Sequence, residues 1–425
     1  MSDTATGTFR SLRNPNYRLW ATGSLVSNIG GWMQRTAQDW LVLTELTPHN
    51  ATAVGTVMAL QFGPQLLLLP FTGFVADRYD RRRIMIVTQC LMALLAFGLG
   101  ALTLAGAARL WHVYVFALAL GCVTAFDVPA RQSFVSELVG DRDLPNAVAL
   151  NSVSFNAARL VGPATAGLMI AAIGSGWLFV FNGVSFIAVL WSLLRLKLDA
   201  LHGGKRTPAA RGSLMDGVRY VRARPDLKAL IAMQFLIGTF GLNFSIYIST
   251  MSVSIFHGDS RMFGALTSML GIGAVTGALL SARRARPSIG VALVGCSAFA
   301  LVGLLAAVAP NYVFFSLTLV ALGICAQTIN TTINSCIQLG TDPAMRGRVM
   351  AILFGFAFGG TPFGAPLVGW VADTFGARFA TGVTAAAGLS AALVTVHYYV
   401  RHRNLRLVRV EGRLRLRLDP ITPLP

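Results

Sequence analysis

Five ionisable residues lie inside otherwise apolar stretches: Arg35, Asp39, Asp127, Arg131 and Arg159. A charge in such surroundings is costly, so each is a candidate for function. Arg35 with Asp39 and Asp127 with Arg131 have i,i+4 spacing, which lets Arg35 and Asp39 neutralise each other on one helix face. Other readings stay open. Asp39 can be a protonatable coupling group with Arg35 beside it, or a carboxylate solvated near an interface. Asp127 and Arg131 can form a proton relay, or join a charge network with Arg78, Arg81 or Arg82. Arg159 has no oppositely charged neighbour in sequence. It needs an anionic ligand, a distant carboxylate such as Asp39 or Asp127, or a water-filled cavity.

Uncharged polar residues offer a second set. Gln327, Asn330 and Asn334 follow i, i+3, i+7, a stripe on one helix face. They either hydrogen-bond neighbouring helices or line a cavity with Asn28, Gln34 and Asn156, joined by Gln234 and Asn243. Trp32 and Phe126 are candidate aromatic walls, or plain packing residues. Gly162, Pro163 and Gly167 predict a helix bend, since proline removes a hydrogen bond and glycine allows close packing. The glycines and prolines from Gly355 to Pro366 predict a broken helix. The six histidines are scattered, and there is no zinc, nucleophile or phosphate-loop motif. The five cysteines all lie in apolar runs and read as small packing hydrophobes. No metal, no cofactor and no enzymatic centre is expected.

These residues need elements to hold them. Of 425 residues, 54% are hydrophobic and 12% charged, about half the charge of a soluble domain. That excludes an ordinary soluble enzyme and a disordered chain. Apolar runs fall at about 17–44, 53–76, 84–107, 111–136, 146–173, 176–196, 228–256, 262–282, 288–309, 311–338, 347–373 and 377–400. Each has the length of a membrane helix, and barrel strands would be about ten residues long and alternating. The first run is too long for a signal-peptide core and no small-residue cleavage site follows it. With the N-terminus inside, 30 of the 35 Lys and Arg fall on the cytoplasmic side and 3 outside (Arg109, Arg261, Arg378). This asymmetry predicts both termini in the cytoplasm. It also explains the net charge of +18 as charge facing anionic lipid, without nucleic acid.

A polar, basic linker at 197–227 separates an N-terminal six-helix bundle (1–196) from a C-terminal one (228–400), followed by a basic cytoplasmic tail (401–425). The tail alternates Arg with Leu or Val, and reads as a surface-associated segment with room for a short strand. The halves match at a shift of about 202: Gly73 with Gly277, Gly121 with Gly323, Asp141 with Asp342, Gly162 and Gly167 with Gly364 and Gly369. That is a parallel repeat about an axis along the membrane normal. Transporters of this design bind substrate near the midplane between their halves. The expected fold is all-α, with twelve transmembrane helices in two pseudo-symmetric bundles.

After span 2 comes Gly73-Phe74-Val75-Ala76-Asp77-Arg78-Tyr79-Asp80-Arg81-Arg82-Arg83. It resembles motif A of the major facilitator superfamily, G-x-x-x-D-R-x-G-R-R/K, with Asp80 in place of the second glycine. In the second half Ser281 stands where Asp77 would repeat. Asn14-Pro15-Asn16-Tyr17-Arg18-Leu19, Gly30-Gly31-Trp32-Met33-Gln34, Trp40-Leu41, Phe126–Gln132, Leu144–Ser152 and Ala158–Pro163 resemble the branch of enterobactin exporters and macrolide efflux proteins. Gly162-Pro163 is similar to the tail of the antiporter motif C.

The resemblance implies a proton-coupled exporter of a hydrophobic or amphiphilic small molecule in a bacterial cytoplasmic membrane, working as a monomer by alternating access. The alternative is an importer or symporter on the same fold. It further implies that Gly73, Asp77, Arg78, Arg81, Arg82, Asp127 and Arg131 latch the halves in the outward-open state. The implied partners are the substrate, protons and anionic lipids.

Overall fold

In the bilayer each backbone N–H and C=O must pair within its own segment, so every apolar run is driven into a helix. A computed structural model describes residues 8–68, 71–72, 75, 78–202, 214–283, 287–402, 406–410 and 413–417. Ten of its helices are long and apolar enough to cross a membrane. They are α3 (Arg81–Leu104), α4 (Leu110–Gly140), α5 (Arg142–Ile173), α6 (Ser175–Leu194), α7 (Pro225–Ile255), α8 (Ser260–Ala282), α9 (Ile289–Ala307), α10 (Tyr312–Gly340), α11 (Arg346–Phe375) and α12 (Ala377–His402). Before them stand α1 (Pro15–Trp40) and α2 (Ala51–Leu67), which complete the twelve spans. Asn16, Asn28, Gln34, Arg35, Gln38 and Asp39 make α1 too polar to register as apolar. Its polar residues are largely buried inward, which is how it still crosses. Helix ends fall within about one turn of the predicted runs, except that α2 ends at Leu67, nine residues before the end of the 53–76 run.

Local chemistry sets the boundaries. Asn14 caps α1, accepting from the backbone N–H of Asn16 and Tyr17, with Pro15 in the first turn. Asp80, which departs from the motif's glycine, caps α3 by accepting from Arg83 N at 2.9 Å. Gly140 separates α4 from α5 at φ 70°, a conformation that disfavours any residue with a Cβ. Large apolar side chains such as Leu94, Leu168, Leu301 and Phe379 are left exposed, as faces turned to lipid require. A short helix, Leu214–Ala223, precedes α7. Helix α7 contains π-helical turns at Ile237–Gly241 and Met251–Ile255, and α11 breaks at Gly360. Among the described residues the tail departs from an all-α chain: strands β1 (Arg406–Val410) and β2 (Arg413–Arg417) pair as an antiparallel hairpin.

The chain clusters into two compact units. The first holds residues 1–210, 245–272 and 365–377; the second holds 211–244, 273–364 and 378–425. Helices α7, α8 and α11 are therefore shared between the units. The repeat is visible in glycine contacts inside each unit. In the first, Gly162 of α5 packs on Trp32 of α1, and Gly167 packs on Ser260 and Gly264 of α8. Gly369 of α11 packs on Ala51 and Thr52 of α2. In the second, Gly364 of α11 packs on Thr239 of α7. So α5 meets α1 and α8 where α11 meets α7 and α2, as a parallel repeat demands. A Cβ at these positions would strike backbone or side chain, so small residues set how closely these helices approach. Helix α5 stays helical through Pro163.

The N-terminal end of the first unit packs Tyr17, Trp20, Met85, Phe134, Leu138, Ala147 and Leu193 into one apolar cluster. Tyr17 is fully buried, and its hydroxyl donates to Ala147 O at 2.9 Å or Asn151 Oδ1 at 3.0 Å. Tyr17→Phe leaves those acceptors short of a donor. It should cost about 1–3 kcal/mol and lower the unfolding temperature of the detergent-purified protein; an unchanged melting curve would contradict this packing role.

Candidate functional site

The charge network of the first unit follows from helix register. Helices α3 and α4 run antiparallel, so residues deeper in α3 meet residues earlier in α4. At the rim, Arg81 Nη1 meets Glu137 Oε1 at 2.6 Å. About two turns deeper in α3, Thr88 Oγ1 and Gln89 Nε2 donate to Asp127 Oδ1 at 2.7 and 3.0 Å. Arg131 Nη2 and Nε donate to Asp127 Oδ2 at 2.7 and 3.0 Å. Asp127 is 2% exposed and has four donors, so its buried charge is fully answered.

The expected network of Asp127 with Arg78, Arg81 or Arg82 is therefore arranged differently. Ten residues of helix, about 15 Å, separate Asp127 from Glu137, which places Asp127 out of reach of the rim arginines. Arg81 takes Glu137 instead, and Arg82 Nε donates to Leu193 O at 2.8 Å. Arg78 is exposed and engaged in a contact of its own. Gly73 and Asp77 lie outside the described residues.

Arg35 and Asp39 share a face of α1 but form no ion pair among the described residues. Asp39, 4% exposed, accepts from Ser245 Oγ of α7 at 2.6 Å. Arg35 instead lies over Trp32 at 5.1 Å and Phe62 at 5.5 Å. Arg159 lies over the same Trp32 ring at 5.7 Å and pairs with neither Asp39 nor Asp127. Trp32 is fixed by the edge of Phe155, 5.8 Å between centroids, and by the backbone of Gly162.

Trp32 and Arg35 line a cavity of about 330 Å³ to which all of α1 to α6 contribute, shared with Asn28, Gln34, Gln61, Asp127, Arg131, Met92, Leu120 and Phe186. A second cavity of about 490 Å³ shares Asn28, Arg131 and Phe155 with it and continues past Trp20, Val148 and Ser152. Through these shared residues the two read as one cleft, in which polar side chains such as Asn28, Gln34, Gln132 and Asn151 alternate with the apolar Trp20, Trp32, Leu120 and Phe155.

The remaining candidates divide. Asn28 Nδ2 donates to Ser154 Oγ at 3.4 Å, and Gln34 Oε1 accepts from Asn182 Nδ2 at 2.7 Å. Asn156 lines the second cavity while donating to Ser152 O on its own helix. Phe126 does not line this cleft; it faces a separate groove beside α3 with Tyr79, Val87 and Leu91. The other five lie in the second unit. Gln234 and Asn243 are buried, and Asn243 Nδ2 donates to Thr239 O at 2.8 Å. The α10 stripe bonds within its own helix, Gln327 to Thr331 at 3.2 Å and Asn334 to Asn330 O at 2.8 Å.

One residue escaped sequence reasoning. Asp373, at the end of α11, accepts from Ala51 N at 2.7 Å, Thr52 N at 2.8 Å and Thr52 Oγ1 at 2.5 Å, capping α2. Its signal was present: Pro366-Leu367-Val368-Gly369-Trp370-Val371-Ala372-Asp373 repeats the Pro, Gly, Val, Ala and Asp of Pro70–Asp77 at the same spacing.

A twelve-span helical fold with a cleft of this kind defines a polytopic membrane transporter, and the comparisons narrow the class. The profile of the transmembrane secretion effector family matches residues 6–411, and the chain belongs to that family of the major facilitator superfamily. It is a membrane transporter of small molecules, not an enzyme. It is 26% identical to the staphyloferrin A transporter of Staphylococcus aureus (strain NCTC 8325 / PS 47), over 91% of this chain and 96% of that one. It is 25% identical to the multidrug efflux pump Tap of Mycolicibacterium fortuitum, over 83% and 88%. It is 24% identical to the enterobactin exporter EntS of Shigella flexneri, over 77% and 78%. The fold is that of the nucleoside transporter NupG, at a TM-score of 0.70 and 14% identity, covering 90% of this chain and 99% of that one.

Asp127→Ala would strand Arg131, Thr88 and Gln89 in a buried site, and should cost about 3–5 kcal/mol. Asp127→Asn keeps acceptors for Thr88 and Gln89 and should cost less. Thermal unfolding in nanodiscs ranks the two; equal losses, or none, would contradict the network.

Proposed function

We propose that this protein is a proton-coupled exporter that moves a small molecule through the α1/α4/α5 cleft by alternating access. The observation that carries the reading is the buried Asp39 carboxylate held by Ser245 of α7. A hydroxyl bonded to a carboxylate makes a charge-assisted hydrogen bond, and protonation reduces it to an ordinary one. Proton binding at Asp39 then weakens the tie between α1 and α7. In this reading Asp39 carries the coupling proton, with Arg35 and Arg159 tuning the cleft.

Three crossings support the access step. Within the first unit α1 meets α7 at Asp39, α2 meets α11 at Asp373, and α5 meets α8 through Ser260 Oγ to Gly167 O at 3.1 Å and Ser268 Oγ to Leu160 O at 2.8 Å. All three lie toward the ends of α1 and α5 remote from the N-terminus. The cleft runs the other way, toward Trp20, about 18 Å from Trp32 along α1. With both termini in the cytoplasm of a bacterial cell, as the basic residues favour, the cleft loads from the cytoplasm and the crossings form the outer gate. The motif A residues Gly73, Asp77, Arg78, Arg81 and Arg82 would then hold the inner gate in the opposite state, while Asp127 and Arg131 brace α4 within the cleft wall. The six-plus-six division at 197–227, a monomeric working unit, and contact of the basic linker and tail with anionic lipid belong to the same proposal. The named relatives, a siderophore exporter and a drug efflux pump, favour export over import.

Everted vesicles with an acidic lumen test this, using a catecholate siderophore, a macrolide and a lipophilic cationic dye. Gradient-driven uptake of at least one is expected, with Asp39→Asn abolishing its dependence on the gradient. Accumulation confined to right-side-out vesicles would overturn export. Full coupling in the variant would remove Asp39 from the mechanism.

A further inference from the structure

Phe126, expected in the cleft, belongs instead to a groove on the outer side of α3 and α4. Helix α3 contributes Ile84, Val87 and Leu91 to it, and α4 contributes Cys122, Val123 and Phe126. Its volume is about 520 Å³. The cleft meets a different face of α4, through Leu120, Thr124 and Asp127. Val87 is 58% exposed and Leu91 43%, while Met85, Gln89 and Met92 on the inner face of α3 are buried. From Arg83 to Leu91 the helix rises about 12 Å, close to the depth of one leaflet's hydrocarbon. The second unit carries the same groove, about 480 Å³, lined by Val291, Val294, Gly295 and Ala298 of α9 with Cys325 and Thr328 of α10. Cys122, Val123 and Phe126 lie 202 residues before Ile324, Cys325 and Thr328, the shift that relates the two halves. Ile84, Val87, Thr88 and Leu91 have the same spacing as Val291, Val294, Gly295 and Ala298. Different side chains thus leave the same hollow in both units, so the hollow is a feature of the repeat.

The two mouths differ. Exposed Tyr79 and Arg83 line the first, and among the described residues the Arg83 guanidinium makes no hydrogen bond or ion pair. Asp80, beside it, already spends a carboxylate oxygen on Arg83 N. From Asp77 to Arg83 the chain carries four arginines against two aspartates. The second groove ends at Ser288, whose hydroxyl caps α9, and its described lining holds no charged side chain. We propose that the first groove binds an anionic phospholipid, with one acyl chain along α3 and α4 and the phosphate held by Arg83 and Tyr79. The second groove takes a chain without selecting its headgroup. No water is present at hydrocarbon depth to fill an apolar hollow, so the surroundings supply a lipid chain as its occupant. At the mouth a phosphate oxygen accepts charge-assisted bonds from the guanidinium fork and a bond from the Tyr79 hydroxyl. The site is separate from the cleft and independent of what is transported. The orientation proposed above enters only in assigning it to the cytoplasmic leaflet.

Native mass spectrometry of the full chain tests the proposal without substrate or gradient. The probes are phosphatidylglycerol, phosphatidylethanolamine and phosphatidylcholine with identical chains, added to the detergent-purified protein. One site should prefer phosphatidylglycerol. Arg83→Gln should weaken phosphatidylglycerol binding there about three- to tenfold and leave phosphatidylcholine binding unchanged. Val87→Trp fills the first groove from its lipid side and should remove the selective site. Val294→Trp, in the second groove, should remove a bound chain and leave the preference intact. Phosphatidylglycerol with a photoreactive group in its acyl chain should cross-link to the segments holding Leu91 and Cys122, and Val87→Trp should abolish those cross-links. Size-exclusion and melting profiles confirm that each variant is folded. Equal affinity for phosphatidylglycerol and phosphatidylcholine, or phosphatidylglycerol binding untouched by Arg83→Gln, would overturn the proposal. So would tighter binding of phosphatidylethanolamine, which would assign the mouth to an ammonium on Asp80. Cross-links confined to the basic linker and tail would also overturn it. Lipid selectivity as expected with no export in vesicles would refute the proposed function alone.

Discussion

The constraint on which this structure turns is that a charge at membrane depth must be answered. The protein answers most of its buried charge internally. Asp127 receives four donors from two helices, and Asp39 receives a hydroxyl from a third. Asp373 receives the two free N–H groups and the side chain at the start of α2. Each such answer also ties one helix to another, so satisfying a charge and fixing a helix position are one event.

Close approach of the helices rests on a second, simpler constraint. Lipid gives no hydrophobic push between helices, so contact area must come from small residues. Gly162 and Gly167 in α5, and Gly364 and Gly369 in α11, occupy corresponding places and meet corresponding helices. The same glycines that repeat in sequence set the crossings at which the proposed gate opens. Gly369 and Asp373 act together: the glycine brings α11 onto α2, and the carboxylate then reaches the N-terminal amides, where a negative charge is favoured. That contact is strong for a surface carboxylate, yet it is one side chain and a few hydrogen bonds, a tie that a conformational cycle can break and remake.

Much of this was legible in sequence because lipid imposes a length and a composition. The twelve spans, the family and the repeat all followed from apolar runs, the run around Asp77, and glycines about 202 residues apart. Pairing between helices was not legible. Spacing of i,i+4 suggested Arg35 with Asp39, yet the hydrogen bond to Asp39 comes from Ser245, while Arg131 turns back onto Asp127 of its own helix rather than leaving that carboxylate to the motif A arginines. Nothing in one helix reports the register of its neighbour, so Glu137, Thr88 and Gln89 were invisible until α3 and α4 were laid side by side. Phe126 was assigned to the cleft by its position in α4, yet one helical face away it borders the groove next to α3. Asp373 was legible but overlooked, because its pattern repeats Pro70–Asp77 in α11, outside the register that relates the two halves.

The most direct test of the account is to lock the α2–α11 crossing. With the five native cysteines replaced by alanine, Thr52→Cys and Asp373→Cys can be joined by a short, reducible thiosulfonate cross-linker, and transport followed in everted vesicles before and after reduction. The account predicts that the cross-linked protein binds substrate but does not release it into the vesicle lumen, and that reductant restores transport to the level of the unlinked double variant. Transport at an unchanged rate in the fully cross-linked protein would show that this end need not open, and would contradict the alternating-access reading of the gate.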